Sequence, residues 1–262
     1  MTPVSKFIRF VAMAAMSAPL LMACGGDDDD DFDDRADIAD PKVRFVHAVP
    51  AGPAVTLRRN GVDEPNATGV DYREGSQYYD VGTENYTFTL VTSDANLELD
   101  TASFGTDRGN RYTLVALPTS SGVELVSIRD PYNKSLTSDD TRLRVLHAVP
   151  GAAAVDVYLT APNADIAAAA PALGAVAYAQ AAPATGNDSV EIEGGTYQVR
   201  LTESGSKEAF YSATIEVPQN GDWLLIALPD VTAEGGVQLL RVRADDSADP
   251  TDEIANEIVA AE

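Results

Sequence analysis

The chain repeats itself, and this constrains its fold more than any other feature. Val43-Arg44-Phe45-Val46-His47-Ala48-Val49-Pro50 returns as Leu143-Arg144-Val145-Leu146-His147-Ala148-Val149-Pro150, at an offset of 100 residues. Tyr112-Thr113-Leu114-Val115-Ala116-Leu117-Pro118 returns as Trp223-Leu224-Leu225-Ile226-Ala227-Leu228-Pro229 at an offset of 111. Asn85-Tyr86-Thr87-Phe88-Thr89-Leu90 matches Thr196-Tyr197-Gln198-Val199-Arg200-Leu201 at the same 111. The order of the matches is kept, so the sequence predicts a duplicated domain. The step from 100 to 111 leaves eleven extra residues in the second copy, between about Asp156 and Thr196. The Ala-rich stretch from Ala161 to Ala170, with Pro162 and Pro171 at its ends, is the obvious place for them, as a brief helix or a long loop.

Each copy reads as strands. Tyr86, Phe88 and Leu90 alternate with threonines, which is the period of a half-buried strand. Val55 to Arg59 is followed by Asn60-Gly61, a hairpin-turn pair, and Gly, Asn and Asp clusters such as Ser204-Gly205 and Asn220-Gly221-Asp222 separate later runs. Neither copy shows a long amphipathic helix. The fold class expected is therefore all-β: two tandem immunoglobulin-like antiparallel β-sandwich domains, over 42–136 and 142–244, each with about seven strands. The polar link near Asp130 to Thr141 predicts some hinge motion between them. The acidic tail over 245–262 contains Pro250; disorder is expected there, with a short docking helix over Ile254 and Ile258 as the alternative.

The amino terminus reads as an address. Lys6 and Arg9 precede an uncharged, mainly apolar run from Phe10 to Met22, too short to span a bilayer core of about 30 Å. Leu21-Met22-Ala23-Cys24-Gly25 then resembles the lipobox of bacterial lipoproteins, in which the cysteine thiol is acylated and the signal is cleaved before it. The expectation is a signal peptide over 1–23 and acyl chains on Cys24, the only cysteine, holding the protein to a membrane. A single cysteine also excludes an internal disulfide or a cysteine-based zinc site. By the same resemblance Gly25, where an Asp would favour the inner membrane, favours the outer membrane in a two-membrane cell; whether the periplasm or the surface is faced stays open. Residues 24–41 form an acidic tether, with Asp27 to Asp31 in one run. Its eighteen residues reach roughly 60 Å at about 3.3 Å each.

Charge narrows the partners. Lys and Arg total 18 against 41 Asp and Glu, a net charge of -23, so phosphate backbones are repelled and nucleic acid is not an expected partner.

The pattern V-R-x-x-H-A-x-P, then A-V-x-V-Y, then G-x-Y-x-x-x-L and a Y-T-x-V-A strand, resembles the DUF4397 family. The residues carrying it are Arg144, His147, Pro150, Asp156, Tyr158, Gly195 and Tyr197, with Arg44, His47, Pro50, Thr56, Arg58, Glu84 and Tyr86 in the first copy. The resemblance implies β-sandwich domains of unknown function, common in tandem in envelope lipoproteins, and implies no activity. Thr56 and Glu84 depart from the pattern, which confines any role of the aspartate to Asp156.

The candidate residues divide by chemistry. His47 and His147 stand alone, without neighbouring ligands at fixed spacing, and are expected to bond loop backbone beside Pro50 and Pro150. Asp156 is expected to pair with Arg144 or His147. No G-x-S-x-G, phosphate loop or nucleotide fingerprint occurs, so no catalytic residue, cofactor or metal is expected. Tyr72, Tyr78 and Tyr79, beside Arg73 and Gln77, are the candidate ligand contacts, because aromatic rings with polar neighbours stack on sugars and anchor proteins. The function expected is non-enzymatic binding or scaffolding at the cell envelope, with a protein or glycan partner. A structural spacer or assembly subunit is the alternative, and a hydrolase of envelope polymers a further one.

Overall fold

The computed structural model describes residues 39–135, 137–231, 236–244 and 249–258. The signal segment, Cys24 and most of the acidic tether lie outside them. The described chain is all-β, as the strand pattern predicts; its only helix is one 3-10 turn at Pro65–Ala67.

The first half contains β1 (Lys42–His47), β2 (Val55–Arg59), β3 (Val62–Asp63), β4 (Tyr79–Asp80), β5 (Asn85–Thr92), β6 (Glu98–Gly105), β7 (Asn110–Thr119) and β8 (Gly122–Pro131). They form two facing sheets, ordered β4-β1-β7-β8 and β3-β2-β5-β6. Asn60 and Gly61 make the β2–β3 turn with φ of 52° and 81°, which accounts for glycine at its second corner.

The second half contains β9 (Thr141–His147), β10 (Val155–Thr160), β11 (Leu173–Val176), β12 (Ala181–Ala182), β13 (Val190–Ile192), β14 (Gly195–Glu203), β15 (Ala209–Val217), β16 (Asp222–Pro229), β17 (Val237–Arg243) and β18 (Thr251–Ile254). Its sheets run β11-β10-β14-β15 and β12-β9-β16-β17-β18, with β13 also on β9.

One sheet in each half is mixed, where the sequence predicts purely antiparallel sandwiches; the sheets β3-β2-β5-β6 and β11-β10-β14-β15 are antiparallel throughout. β1 pairs parallel with β7, and β9 pairs parallel with β16. A parallel pair needs a long crossover, and the intervening strands of the opposite sheet supply it.

Side-chain alternation explains how the four sheets stack. On β1, Val43 and Phe45 enter the first core, while Arg44 and Val46, and Ala48 just after the strand, point the other way. On β16, Trp223, Leu225 and Ala227 enter the second core, while Leu224, Ile226 and Leu228 point outward from it. The outward residues of both halves meet in a third apolar cluster: Val46, Val115, Leu117 and Ile128 pack with Leu146, Leu224, Ile226 and Leu240. The two sandwiches are thus fused face to face along a buried seam. The link, where the sequence predicts hinge motion, packs tightly in its described part: Tyr132 and Lys134 are buried against the seam at 6% and 2% exposure. Arg111 and Arg142 stack on the Tyr132 ring at 3.9 and 4.4 Å from its centroid, and Lys134 Nζ donates to Asn220 Oδ1 at 2.9 Å.

The extra residues of the second half lie in two places. The amide of Gly69 bonds to Thr56, and that of Ala175 bonds to Asp156, so by position 175 the offset is already 106. The Ala-rich stretch accounts for that first step and is a loop of turns closing onto β11. The second step falls in the 183–189 segment, whose carbonyls face the seam.

The tail also departs from expectation. Thr251–Ile254 pairs with β17, and the chain then crosses to the other sheet, where Glu257 N donates to Ser212 O at 2.7 Å. Tyr211 Oη donates to Ile254 O at 2.8 Å. Backbone pairing does not require apolar side chains, so an acidic segment can cover two strand edges that would otherwise stand open.

Candidate functional site

The two histidines occupy equivalent ends of the two sandwiches. Val49 N donates to His47 Nδ1 at 3.2 Å, and His47 Nε2 lies 3.1 Å from Pro53 O. Val149 N donates to His147 Nδ1 at 3.3 Å, and His147 Nε2 lies 3.1 Å from Ala153 O. A carbonyl only accepts and an amide N–H only donates, so Nε2 carries the proton and each ring is neutral with both nitrogens engaged. Burial lowers the pKa of both, and the carbonyl contact offsets this only in part. Pro50 sits at the second position of the turn Val49–Gly52, and Ala51 follows with φ of 54°. In the second half Pro150 precedes Gly151, at φ of 75°. Proline presets such a turn, and the turn brings the loop carbonyl back to the histidine.

Asp156 pairs with neither Arg144 nor His147. Its carboxylate accepts from Ala175 N at 2.7 Å and Gly205 N at 2.8 Å, tying two loops to the strand. Burial alone would raise its pKa, but those backbone donors, Ser204 and the nearby Lys207 hold it below the usual value. Thr56 does the same work in the first half: its Oγ1 accepts from Gly69 N at 3.2 Å and bonds Ser93 Oγ at 2.9 Å. The two residues differ in charge and agree in task.

The three tyrosines do not form one face. Tyr72, whose buried hydroxyl makes no hydrogen bond among the described residues, lies edge-on to His47, centroids 6.4 Å apart. Tyr178 does likewise for His147 at 6.3 Å, and its hydroxyl donates to Pro118 O of the first half. Tyr78 is held between cations, with Arg44 4.4 Å and Arg111 5.4 Å from its ring centroid, and its hydroxyl bonds Thr113 Oγ1 at 3.0 Å. Burial and the Glu64 carboxylate raise the pKa of the Tyr79 phenol strongly.

Four charged groups to which the sequence assigns no site role, Asp130, Asp222, Arg111 and Arg142, form a buried network with the motif arginines Arg44 and Arg144. Asp222 accepts from Arg111 Nη1 at 2.7 Å and Arg142 Nη1 at 3.2 Å. Asp130 accepts from Arg142 Nη2 at 2.8 Å, Arg144 Nη2 at 2.9 Å and Ser189 Oγ at 2.9 Å. Arg144 is further cradled by the carbonyls of Pro183, Ala184 and Asn187. Arg44 donates to Thr113 Oγ1 at 3.0 Å and to Arg243 O at 3.2 Å. The Asp130–Arg142, Asp130–Arg144, Arg111–Asp222 and Arg44–Arg243 contacts all join one half to the other. Burial would raise the pKa of Asp222, but Arg142, Arg111 and Arg44 hold it below its usual value. The available signal was arginine at alternate positions inside otherwise apolar strands, at Arg44, Arg142 and Arg144.

Two clefts flank this network and meet at Ala244. One, of about 430 Å³, is lined by residues that include Glu216, Gln219, Asp222, Trp223, Arg241 and Arg243. The other, of about 200 Å³, is lined by Lys42, Gln77, Tyr78, Tyr79, Asp80, Arg111 and Ala244. Tyr78 and Tyr79 therefore share a small polar cleft, and Tyr72 stands apart from it. Among the described residues no three His, Cys, Asp or Glu side chains cluster as metal ligands. No helix among them is long and apolar enough to cross a membrane.

Residues 41–158 match the family described as "Domain of unknown function (DUF4397)", a stretch covering the first sandwich and the opening two strands of the second. No curated protein matches the chain. Among solved structures, it is similar at 8% identity and TM-score 0.22 to a family 26 carbohydrate-binding module of Eubacterium rectale Amy13K, crystallised with maltoheptaose. That match covers 72% of this chain and 92% of the module. A family 41 carbohydrate-binding module from streptococcal virulence factors, reported for alpha-glucan recognition, matches at 11% identity and TM-score 0.22, covering 71% of this chain and 93% of the module. Superpositions this slight transfer neither fold nor ligand.

Proposed function

We propose that this chain is a lipid-anchored protein of the bacterial cell envelope, built from two copies of one immunoglobulin-like sandwich, which binds or scaffolds without catalysis. The observation that carries the non-catalytic reading is the saturation of the groups catalysis would need. Both nitrogens of each histidine are bonded to loop backbone, and Asp156 is engaged by loop amides. The anchor rests on Leu21-Met22-Ala23-Cys24, with the acidic tether lifting the sandwiches from the lipid. Fusion of the halves favours a rigid scaffold over a string of independent spacers. The polar clefts beside the seam, with Tyr78, Tyr79, Lys42 and Arg111, suit an envelope glycan or a polar protein surface.

Metabolic labelling with a clickable fatty acid in a bacterial host tests the anchor. The wild type is expected to take up label and sediment with membranes, and Cys24→Ala to lose both. Label retained in Cys24→Ala, or a wild type that is unlabelled and free of membranes, would overturn it. Protease treatment of intact and lysed cells then tells a surface location from a periplasmic one.

A further inference from the structure

A cavity of about 360 Å³ opens at the loop end of the second sandwich, on the opposite face of its sheet from the seam. Its size falls within the range of small-molecule sites, roughly 300–1,000 Å³. Val149, Val155, Leu201, Phe210 and Val237 make its walls apolar. His147 also lines it, but both ring nitrogens are already bonded, so it offers the cavity a neutral ring. The one ionic group in the lining is Glu203, which is exposed at the end of β14.

The carboxylate is particular to this half. Glu203 lies opposite Val155 across the β10–β14 pair, and Thr92 holds that place opposite Val55 in the first half. Thr92 is buried, and its hydroxyl accepts from Leu97 N at 3.2 Å, closing its own loop. The residue at Phe210's place, one before the partner of the strand's leucine, is Leu99. The second sandwich alone therefore combines a wider apolar wall with a carboxylate.

We propose that this cavity is a binding site for a small apolar molecule bearing an ammonium group, its hydrocarbon part among Val155, Leu201 and Phe210 and its cation at Glu203. The net charge of -23 favours a cationic ligand over an anionic one at long range as well. The site does not depend on the lipid anchor.

The test uses the full chain carrying Cys24→Ala, purified without detergent, with methyl resonances of Val and Leu followed by NMR. The probes are n-hexylammonium, hexanol and hexanoate at matched millimolar concentrations. Hexylammonium is expected to shift the Val149, Val155 and Leu201 methyls saturably, hexanol more weakly, and hexanoate not at all. Glu203→Gln should weaken hexylammonium about fivefold, the scale of one partly exposed ion pair, and leave hexanol unchanged. Ala227→Leu should fill the cavity and abolish both; because Glu203→Gln alters an exposed side chain, it keeps the test readable if Ala227→Leu fails to fold. No saturable shift in the folded protein, or hexanoate binding as tightly as hexylammonium, would overturn the proposal.

Discussion

Replacing Asp222 with alanine tests whether the two halves are one cooperative unit. The carboxylate holds Arg111 at 2.7 Å and Arg142 at 3.2 Å, so the change takes a carboxylate from two guanidinium groups at once, Arg142 keeping Asp130 at 2.8 Å. Arg142 is 1% exposed and cannot turn to solvent without opening the seam. Removing one partner of a buried ion pair costs about 3–5 kcal/mol, because an uncompensated charge is left behind. For a fused body of this size each kcal/mol lowers Tm by about 2–4 °C, so Asp222→Ala should melt roughly 6–20 °C lower. The assay is urea and thermal unfolding followed by Trp223 fluorescence and far-UV circular dichroism. Because Arg111 belongs to the first half and Asp222 to the second, the variant should also split one transition into two, with fluorescence reporting the second half. Arg58→Ala, which removes an exposed pair with Asp63, serves as control and should cost under about 1 kcal/mol. A loss below about 1 kcal/mol for Asp222→Ala, with a single unchanged transition, would refute the argument that the seam is held by buried charge.

Other outcomes follow from the same geometry. The histidines bind a proton less readily folded than unfolded, so stability is flat above their ordinary pKa of 6.5 and falls as pH drops below it. Replacing both with glutamine should flatten the difference in unfolding free energy between about pH 7 and 5, and an unchanged slope would contradict it. Asp156→Ala should cost about 1.5–3 kcal/mol by leaving the Ala175 and Gly205 amides unpaired, whereas Asp156→Thr should recover part of this because Thr56 performs that task; chemical denaturation measures both. The first sandwich expressed alone, residues 42–136, should bare Val46, Val115, Leu117 and Ile128 and bind a hydrophobic dye such as ANS, and a folded fragment that binds none would count against an obligate seam.

Much of the fold was legible because strand periodicity and turn chemistry are local. Tyr86-Thr87-Phe88-Thr89-Leu90 alternates as it does because one face of β5 is buried and the other is wet. Asn60-Gly61 named its own turn. The seam was harder to read. Val145-Leu146 and Leu224-Leu225-Ile226 are apolar at consecutive positions, the mark of a strand covered on both faces, but nothing local says what supplies the second cover. The arginines in those strands were likewise visible, while their partners lay at separations such as Arg111 to Asp222, which only the stacked sheets bring together. The candidate residues divide the same way. The backbone bonding of His47 and His147 follows from isolated histidines beside a proline turn. Asp156 could not be assigned because its partners are amides of two loops, and an amide leaves no trace in residue identity.

Arg111 and Asp222 hold corresponding positions in the two halves, one before Tyr112 and Trp223, and they bond to each other. A residue that meets its own counterpart lies at the centre of a two-fold arrangement. Two first halves brought together in that manner would set arginine against arginine, and two second halves aspartate against aspartate. Only the unlike pairing is neutral, so the molecule distinguishes its own other half from the same half of a neighbour. The charges therefore select against like halves of neighbouring chains docking together, while an exchange of halves would keep the same arginine–aspartate pairing and is limited instead by the buried link through Tyr132 and Lys134.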